Sequence, residues 1–292
     1  MLTTPEILKK VRELEIKSKR LTRHIFTGEY HSAFKGRGMS FREVREYAPG
    51  DDVRFIDWNV SARFNHPFSK LFEEERELTV ILLIDISASS LFGTVHASKK
   101  DIITEISAVL AFSAINNNDK VGAIFFTDKV EKYIAPKKGR EQALYIVREM
   151  LTATPKRKGT KLGEAIRFFN SSVRQKSIAF ILSDFLDEKF DDALKVAAKK
   201  HDITGVKIYD KMDMQLPEAG LLEVQDAESG ETAWIDTDDY SVRKNHYDRF
   251  FNATENCKTV FLKAGCDLLH IRTDEDYVKV LKKFFIGRNK PA

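Results

Sequence analysis

The stretch Ile81-Leu82-Leu83-Ile84-Asp85-Ile86-Ser87-Ala88-Ser89-Ser90 decides how this chain is read. The apolar run from Leu78 to Ile84 has the length of a strand and ends abruptly in a carboxylate. Two hydroxyls follow at alternate positions. A strand apolar on both faces belongs inside a parallel sheet covered by helices on either side. Ligands of such open sheets sit beyond the carboxyl ends of the strands. Asp85, Ser87 and Ser89 therefore leave the strand where a ligand would be met, and the loop lets one carboxylate and two hydroxyls converge.

Downstream, the same texture repeats. Val121–Phe126, Ile178–Ser183 and Ile203–Ile208 read as further strands, with helical periodicity over 97–115, 141–151, 162–171 and 191–200. This alternation predicts a doubly wound α/β fold: a mostly parallel sheet with helices on both faces. Lys129–Ile134 reads as an antiparallel edge strand hairpinned to Val121–Phe126. Past Asp210, Leu221–Val224 and Thr232–Ile235 flank Ser229-Gly230, which predicts a β-hairpin insertion at about 219–236. A helix over Tyr240–Lys263, a strand over Asp267–Ile271 and a helix from about Asp274 to Phe285, with an acidic first turn, then resume the alternation.

Upstream, Ile7, Leu8, Val11, Leu14 and Ile16 recur at helical spacing within Pro5–Arg20, which predicts an amphipathic helix. From Tyr30 to Arg76 the pattern is broken by Gly36, Gly38, Pro49, Gly50 and Pro67 into short strands and loops. The expected division is an N-terminal extension over 1–77 and an α/β domain over 78–292. Within the extension, Phe55 and Trp58 are expected in the core. The arginines and acids of 36–57 are expected to form an ion-pair lattice tying the extension to the domain, the alternative being recognition of phosphate or of a partner's acidic surface. Glu73-Glu74-Glu75 reads as a solvated approach.

One carboxylate with two hydroxyls is only part of a metal shell. Mg²⁺ takes oxygen ligands in near-octahedral geometry, so other strand ends must contribute. Thr160, in Gly159-Thr160 before a helix, and Asp184, after the apolar strand Ile178–Ser183, are placed to do so. Two carboxylates in the set Asp85, Ser87, Ser89, Thr160 and Asp184 balance the ion's charge and leave it open to an outside carboxylate. Asp128 reads instead as a turn residue, and Asp191 and Asp192 as the start of a helix.

Asp85-Xaa-Ser87-Xaa-Ser89, the later Gly159-Thr160 and the strand-terminal Ser183-Asp184 resemble the metal-ion-dependent adhesion site of von Willebrand factor A domains. The resemblance covers roughly residues 78–210. It implies a Mg²⁺ site, with Mn²⁺ or Ca²⁺ as alternatives, in which the hydroxyls touch the ion and the carboxylates act through water. It also implies a protein partner that donates an Asp or Glu. Residues 36–58, from Gly36-Arg37-Gly38-Met39-Ser40-Phe41 through Tyr47-Ala48-Pro49-Gly50-Asp51-Asp52 to Phe55-Ile56-Asp57-Trp58, are similar to the signature of the bacterial domain of unknown function 58 family. Members of that family join such a segment to an adhesion-type A domain, and many are encoded beside MoxR-type AAA+ ATPases. The resemblance implies such an ATPase as partner, in protein remodelling, maturation or stress response.

Composition narrows the alternatives. With 42% hydrophobic residues over 292 positions the chain can build a full core, so a disordered or fibrous chain is excluded. A net charge of +4 against 48 basic and 44 acidic residues implies no polyanionic partner, and no basic stretch interleaved with aromatics suggests nucleic-acid binding. Cys257 and Cys266 are too few for a disulfide framework, which with the absence of a signal-like apolar N-terminus points to the cytoplasm. No run approaches the roughly 20 apolar residues of a membrane span. The seven histidines never fall at ligand spacing, and no phosphate-binding Gly-rich loop with Lys-Ser/Thr exists. The expectation is a binding module, not an enzyme. The rival readings are a metal-dependent phosphohydrolase using Asp85 as nucleophile and a metal-independent scaffold. Ser87 stands where the hydrolase would need its general acid, and a hydroxyl cannot protonate a leaving group at neutral pH.

Overall fold

The computed structural model describes residues 4–25, 40–73, 77–94, 97–155, 157, 159–187, 189–225 and 230–288. The elements begin with α1 (Thr4–Ile25), β1 (Ser40–Glu46), a 3₁₀ turn (Val53–Phe55), α2 (Trp58–Phe64) and β2 (Phe68–Glu73). The chain continues with β3 (Thr79–Asp85), α3 (Lys99–Asn116), β4 (Lys120–Phe126), β5 (Val130–Lys137), α4 (Arg140–Thr152) and α5 (Leu162–Ser172). Next come β6 (Ile178–Ser183), α6 (Asp191–Ala198), β7 (Asp202–Tyr209), the single turn α7 (Lys211–Met214), β8 (Leu221–Gln225) and β9 (Thr232–Asp236). Last are α8 (Tyr240–Ala264), β10 (Asp267–Arg272) and α9 (Tyr277–Arg288). Two compact units result: residues 1–33 with 79–292, and residues 34–78.

The larger unit is a six-stranded sheet in the order β10-β7-β6-β3-β4-β5, parallel throughout except for β5. β3, β4 and β6 are buried almost end to end, as strands covered on both faces must be. One face of the sheet, carrying Ile81, Leu83, Ile124, Ala179 and Ile181, packs on Ile166 and Phe169 of α5, Leu194 of α6 and Phe261 of α8. On the opposite face, Phe180 meets Phe285 of α9 edge-on at 6.4 Å. The order also locates the ligand crevice. After β3 the chain winds outward to β4, whereas after β6 it winds the other way to β7. The reversal falls between β3 and β6, the switch point at which open α/β sheets bind ligands.

Helix α3 is buried almost all round, from Ile102 to Ala114, because α1 packs on its outer side. The inward stripe of α1 is Val11, Glu15 and Ser18, whereas Leu8 and Ile16, expected to share it, are exposed. Arg140 at the start of α4 grips the buried Glu15 with Nε and Nη2 at 2.5 and 2.7 Å, and Lys17 donates to Glu105 of α3 at 2.6 Å. These contacts group α1 with the sheet, so the expected division at residue 77 is redrawn: the separate unit is 34–78 alone. The β8–β9 hairpin forms as expected; Ser229 of its turn lies outside the described residues, and Gly230 has φ +78°. Asp274, Glu275 and Asp276 precede α9, which starts at Tyr277 without an acidic first turn.

In the smaller unit β1 and β2 pair antiparallel, with the 3₁₀ turn and α2 between them. Its acids build local structure. Asp57 caps α2 by accepting from Asn59 N and Val60 N, and Asp51 accepts from Ala48 N and pairs with Arg45 at 2.7 Å. Arg54 pairs with Asp52 and Lys70 with Asp57, so these ion pairs close within the segment. Trp58 is not core: it opens α2 with 71% of its surface exposed, and Phe55 is half-buried. Gly36 to Met39 and Glu74-Glu75 lie outside the described residues.

Gly205 in the middle of β7 shows how tightly the first face is packed. A Cβ there would stand 2.5 Å from the Phe261 ring and 2.8 Å from Leu268. Gly205→Ala is expected to cost about 1–3 kcal/mol by overpacking, measured as a lower midpoint of urea unfolding with unchanged slope.

Candidate metal centre

Asp85 closes β3 and is buried, and its two oxygens are separately engaged. Oδ1 accepts from Ser87 N at 2.9 Å, and Oδ2 accepts from Ser183 Oγ, at the end of β6, at 2.6 Å. The β3–β4 ladder runs one residue further, with Ile86 N donating to Phe126 O. The chain then coils into a short 3₁₀ turn over Ala88–Leu91. That turn sets the Ser87 and Ser89 hydroxyls 3.0 Å apart, both buried, while Ser90 Oγ donates to Ser87 O and locks the loop.

Asp184 follows β6 across the crevice. Its Oδ2 accepts from Lys99 Nζ at 3.1 Å, its main-chain carbonyl accepts from Lys207 Nζ, and its Oδ1 is buried with no hydrogen-bond partner. The next residue, Phe185, has φ +52°, a left-handed conformation uncommon for a bulky side chain. Its N–H donates to Ser183 Oγ, and its ring is clamped by Phe190 and Phe261 at 6.0 and 5.4 Å. Backbone strain of this kind persists where packing over-determines it, and here it aims the Asp184 carboxylate into the crevice.

Thr160 stands half-buried on the loop between α4 and α5. Lys161 N donates to Thr127 O beyond the end of β4, and Leu162 N donates to Asp187 Oδ2, which caps α5 from the β6–α6 loop. Gly163 permits this approach, since a Cβ would lie 2.7 Å from Lys189 O. Thr160 lines an open groove with Lys161, Arg167, Leu186, Asp187 and Lys189. The structure thus joins Asp85, Ser87 and Ser89 by direct hydrogen bonds, sets Asp184 beside them through Ser183, and holds Thr160 on the adjoining loop. Asp128 lies in the β4–β5 turn, and Asp191 and Asp192 open α6.

Burial and the neighbouring Asp184 charge push the Asp85 carboxyl up to about 6, against the hydrogen bonds from Ser183 and Ser87. Burial pulls the Lys99 ammonium down, but Asp184 and Asp213, at 3.1 and 3.2 Å, outweigh it and leave the group above the ordinary lysine value. Burial takes Lys207 below that value. A third strand-terminal acid, Asp210 after β7, is buried and accepts from Thr94 N, Thr94 Oγ1, Met212 N and Thr273 Oγ1.

Sequence reasoning missed both lysines and the role of Ser183. Two signals stood in the sequence. Lys207 interrupts the apolar strand Ile203–Ile208, and Lys99 opens a helix, where the macrodipole disfavours a cation. Among the described residues no three His, Cys, Asp or Glu side chains cluster so as to hold a metal. The candidate donors are instead two carboxylates with hydroxyls. They fit a hard cation: two buried like charges face each other, one carboxylate oxygen has no donor, and two hydroxyls converge beside them.

The uncharacterized protein Rv1480 of Mycobacterium tuberculosis is 28% identical over 295 residues, covering 99% of this chain and 92% of that protein. A solved structure of the conserved hypothetical protein BatB from Bacteroides thetaiotaomicron aligns with 73% of this chain and 100% of its own at 16% identity and a TM-score of 0.47. The SpRpn10 VWA domain aligns with 74% of this chain and 98% of its own at 17% identity and a TM-score of 0.38. Among the described residues no helix is long and apolar enough to cross a membrane. The family model described as protein of unknown function DUF58 matches residues 43–256, most of both units, and the chain belongs to that family.

Proposed function

We propose that the chain is a metal-dependent protein-binding module and not an enzyme, with a divalent cation, Mg²⁺ by preference, bound at the β3/β6 crevice. The observation that carries this reading is the pair of buried carboxylates at the switch point. Asp184 Oδ1 has no donor, and Asp85 is held out of its ordinary range by burial and by Asp184. Ser87, Ser89 and Thr160 are the hydroxyls that would touch the ion, and Asp85 and Asp184 would hold its water. When bound, the cation supplies an electrophilic position for an outside carboxylate, an Asp or Glu of a protein partner.

The chain's own residues do the rest. Ser90 and Ser183 fix the loops, Asp187 caps α5 to keep the Thr160 loop in place, and the clamped Phe185 orients Asp184. A MoxR-type AAA+ ATPase is the proposed partner, on the strength of family membership. The cytoplasm is the proposed location, in keeping with the unpaired Cys257 and Cys266. Ser87 in place of a general acid argues against the phosphohydrolase, and turnover of a chromogenic phosphate ester would revive it.

The test is calorimetric titration of Mg²⁺ into metal-stripped protein beside Asp85→Asn, repeated with the ATPase present. Wild-type binding with a loss of at least about tenfold in the variant is expected, together with loss of partner capture. Capture that survives both chelation and the substitution would sink the metal bridge.

A further inference from the structure

We propose that Lys99 sets the charge of the crevice so that a divalent cation and an incoming carboxylate each bind well only in the presence of the other. This rests on the metal-site reading above. Lys99 is the first residue of α3 and only 2% exposed. Its ammonium bridges Asp184 after β6 and Asp213 in α7, and sits 5.8 Å from the centre of the Phe92 ring. Segments that follow β3, β6 and β7 therefore meet on one buried cation.

Neither local structure nor solvation explains a lysine here. Ser98 and Asp101 already form a complete capping box for α3, a cation opposes the positive end of the helix dipole, and burial opposes any charge. What the ammonium does is offset Asp184. Asp85, Asp184 and Lys99 together carry one negative charge. A bound divalent cation turns that into one buried positive charge, which is costly until a carboxylate cancels it. Without Lys99 the two aspartates alone would neutralise the cation, and the outside carboxylate would have nothing to neutralise. Lys207, on the Asp184 carbonyl, acts in the same direction as Lys99, while Asp213 draws part of the Lys99 charge away from the site. Coupling of this kind is reciprocal: a carboxylate that favours the cation is favoured by it to the same extent.

The two partners of the bridge act with opposite sign, which separates this role from simple packing. Mg²⁺ is titrated into the metal-stripped full chain by calorimetry, in chloride buffer and in acetate buffer of equal ionic strength, with acetate as the carboxylate probe. Wild type is expected to bind Mg²⁺ more tightly in acetate. Lys99→Met is expected to bind it at least about tenfold more tightly in chloride and to lose the acetate dependence. Asp213→Asn, which keeps the acceptor for Asp210 N, is expected to weaken Mg²⁺ binding and keep the acetate dependence. Folding of each variant is checked by circular dichroism, and Asp213→Asn decides the sign alone if Lys99→Met does not fold. Weaker or unchanged Mg²⁺ binding in a folded Lys99→Met, or tighter binding in Asp213→Asn, overturns the proposal while the metal site stands. Wild type that takes up no Mg²⁺ overturns both.

Discussion

In metal-free buffer at neutral pH, Asp85→Asn is expected to be more stable than wild type by about 2–3 kcal/mol, and excess Mg²⁺ is expected to narrow that gap. Burial and Asp184 raise the Asp85 carboxyl from 3.8 to about 6 on folding, a difference worth about 3 kcal/mol at full ionisation. The sign follows from the protonation states. Below 3.8 the group is protonated in both folded and unfolded chains, and the penalty is absent. Above about 6 it is ionised in both, and the native state carries the whole cost. Between these values the penalty grows with pH. The stability gap between wild type and variant should therefore be largest at neutral pH, shrink as pH falls through 6 and close near 4. Taking the difference between the two proteins cancels the buried His201 and the half-buried His270, both pulled down to about 4, whose contributions run the other way. Mg²⁺ at a hundred times its dissociation constant adds about 2.7 kcal/mol to wild type and about 1.4 kcal/mol to a variant that binds it tenfold more weakly. Thermal melts across pH in chelator and in Mg²⁺ read both effects. A gap independent of pH would mean that Asp85 is not held ionised against its surroundings.

Phe261→Ala is expected to have the larger effect on stability, about 3–5 kcal/mol, and to weaken Mg²⁺ binding although Phe261 lies on α8, outside the donor set. The ring is fully buried against Phe185, Phe190 and the Gly205 backbone. Removing it leaves a cavity beneath Phe185, whose left-handed backbone then loses part of the packing that enforces it, and the aim of Asp184 loosens. Chemical denaturation gives the first quantity and calorimetry the second. The same geometry predicts non-additivity. In the double variant Gly205→Ala with Phe261→Ala, the new methyl enters the space the ring vacated, so the combined cost should fall below the sum of the single costs. Strict additivity would show that the two positions do not share that contact.

Much of this was legible locally. Each buried strand declared itself as an apolar run, each covering helix as a 3.6-residue period, and Asp85 and Asp184 as carboxylates ending apolar runs. Periodicity does not say which side of a helix finds a partner: Leu8 and Ile16 share the helical spacing of α1 yet stand exposed, while the buried Glu15 is held by Arg140, 125 positions later. Aromatic character does not say whether a surface covers it, and Trp58, expected in the core, stands exposed.

What the sequence by itself determined is the alternation of elements and the chemistry at their ends, because backbone propensity and hydrophobic period act over a few residues. What only the tertiary structure decided is adjacency. β3 lies between β4 and β6, so that the two aspartates, 99 positions apart, face one crevice with the Ser183 hydroxyl on Asp85. Lys99 and Lys207 are buried there beside them. Such pairings are made by non-local strand register and by the low dielectric of a packed interior, where a lysine is retained only if a particular carboxylate or carbonyl meets it.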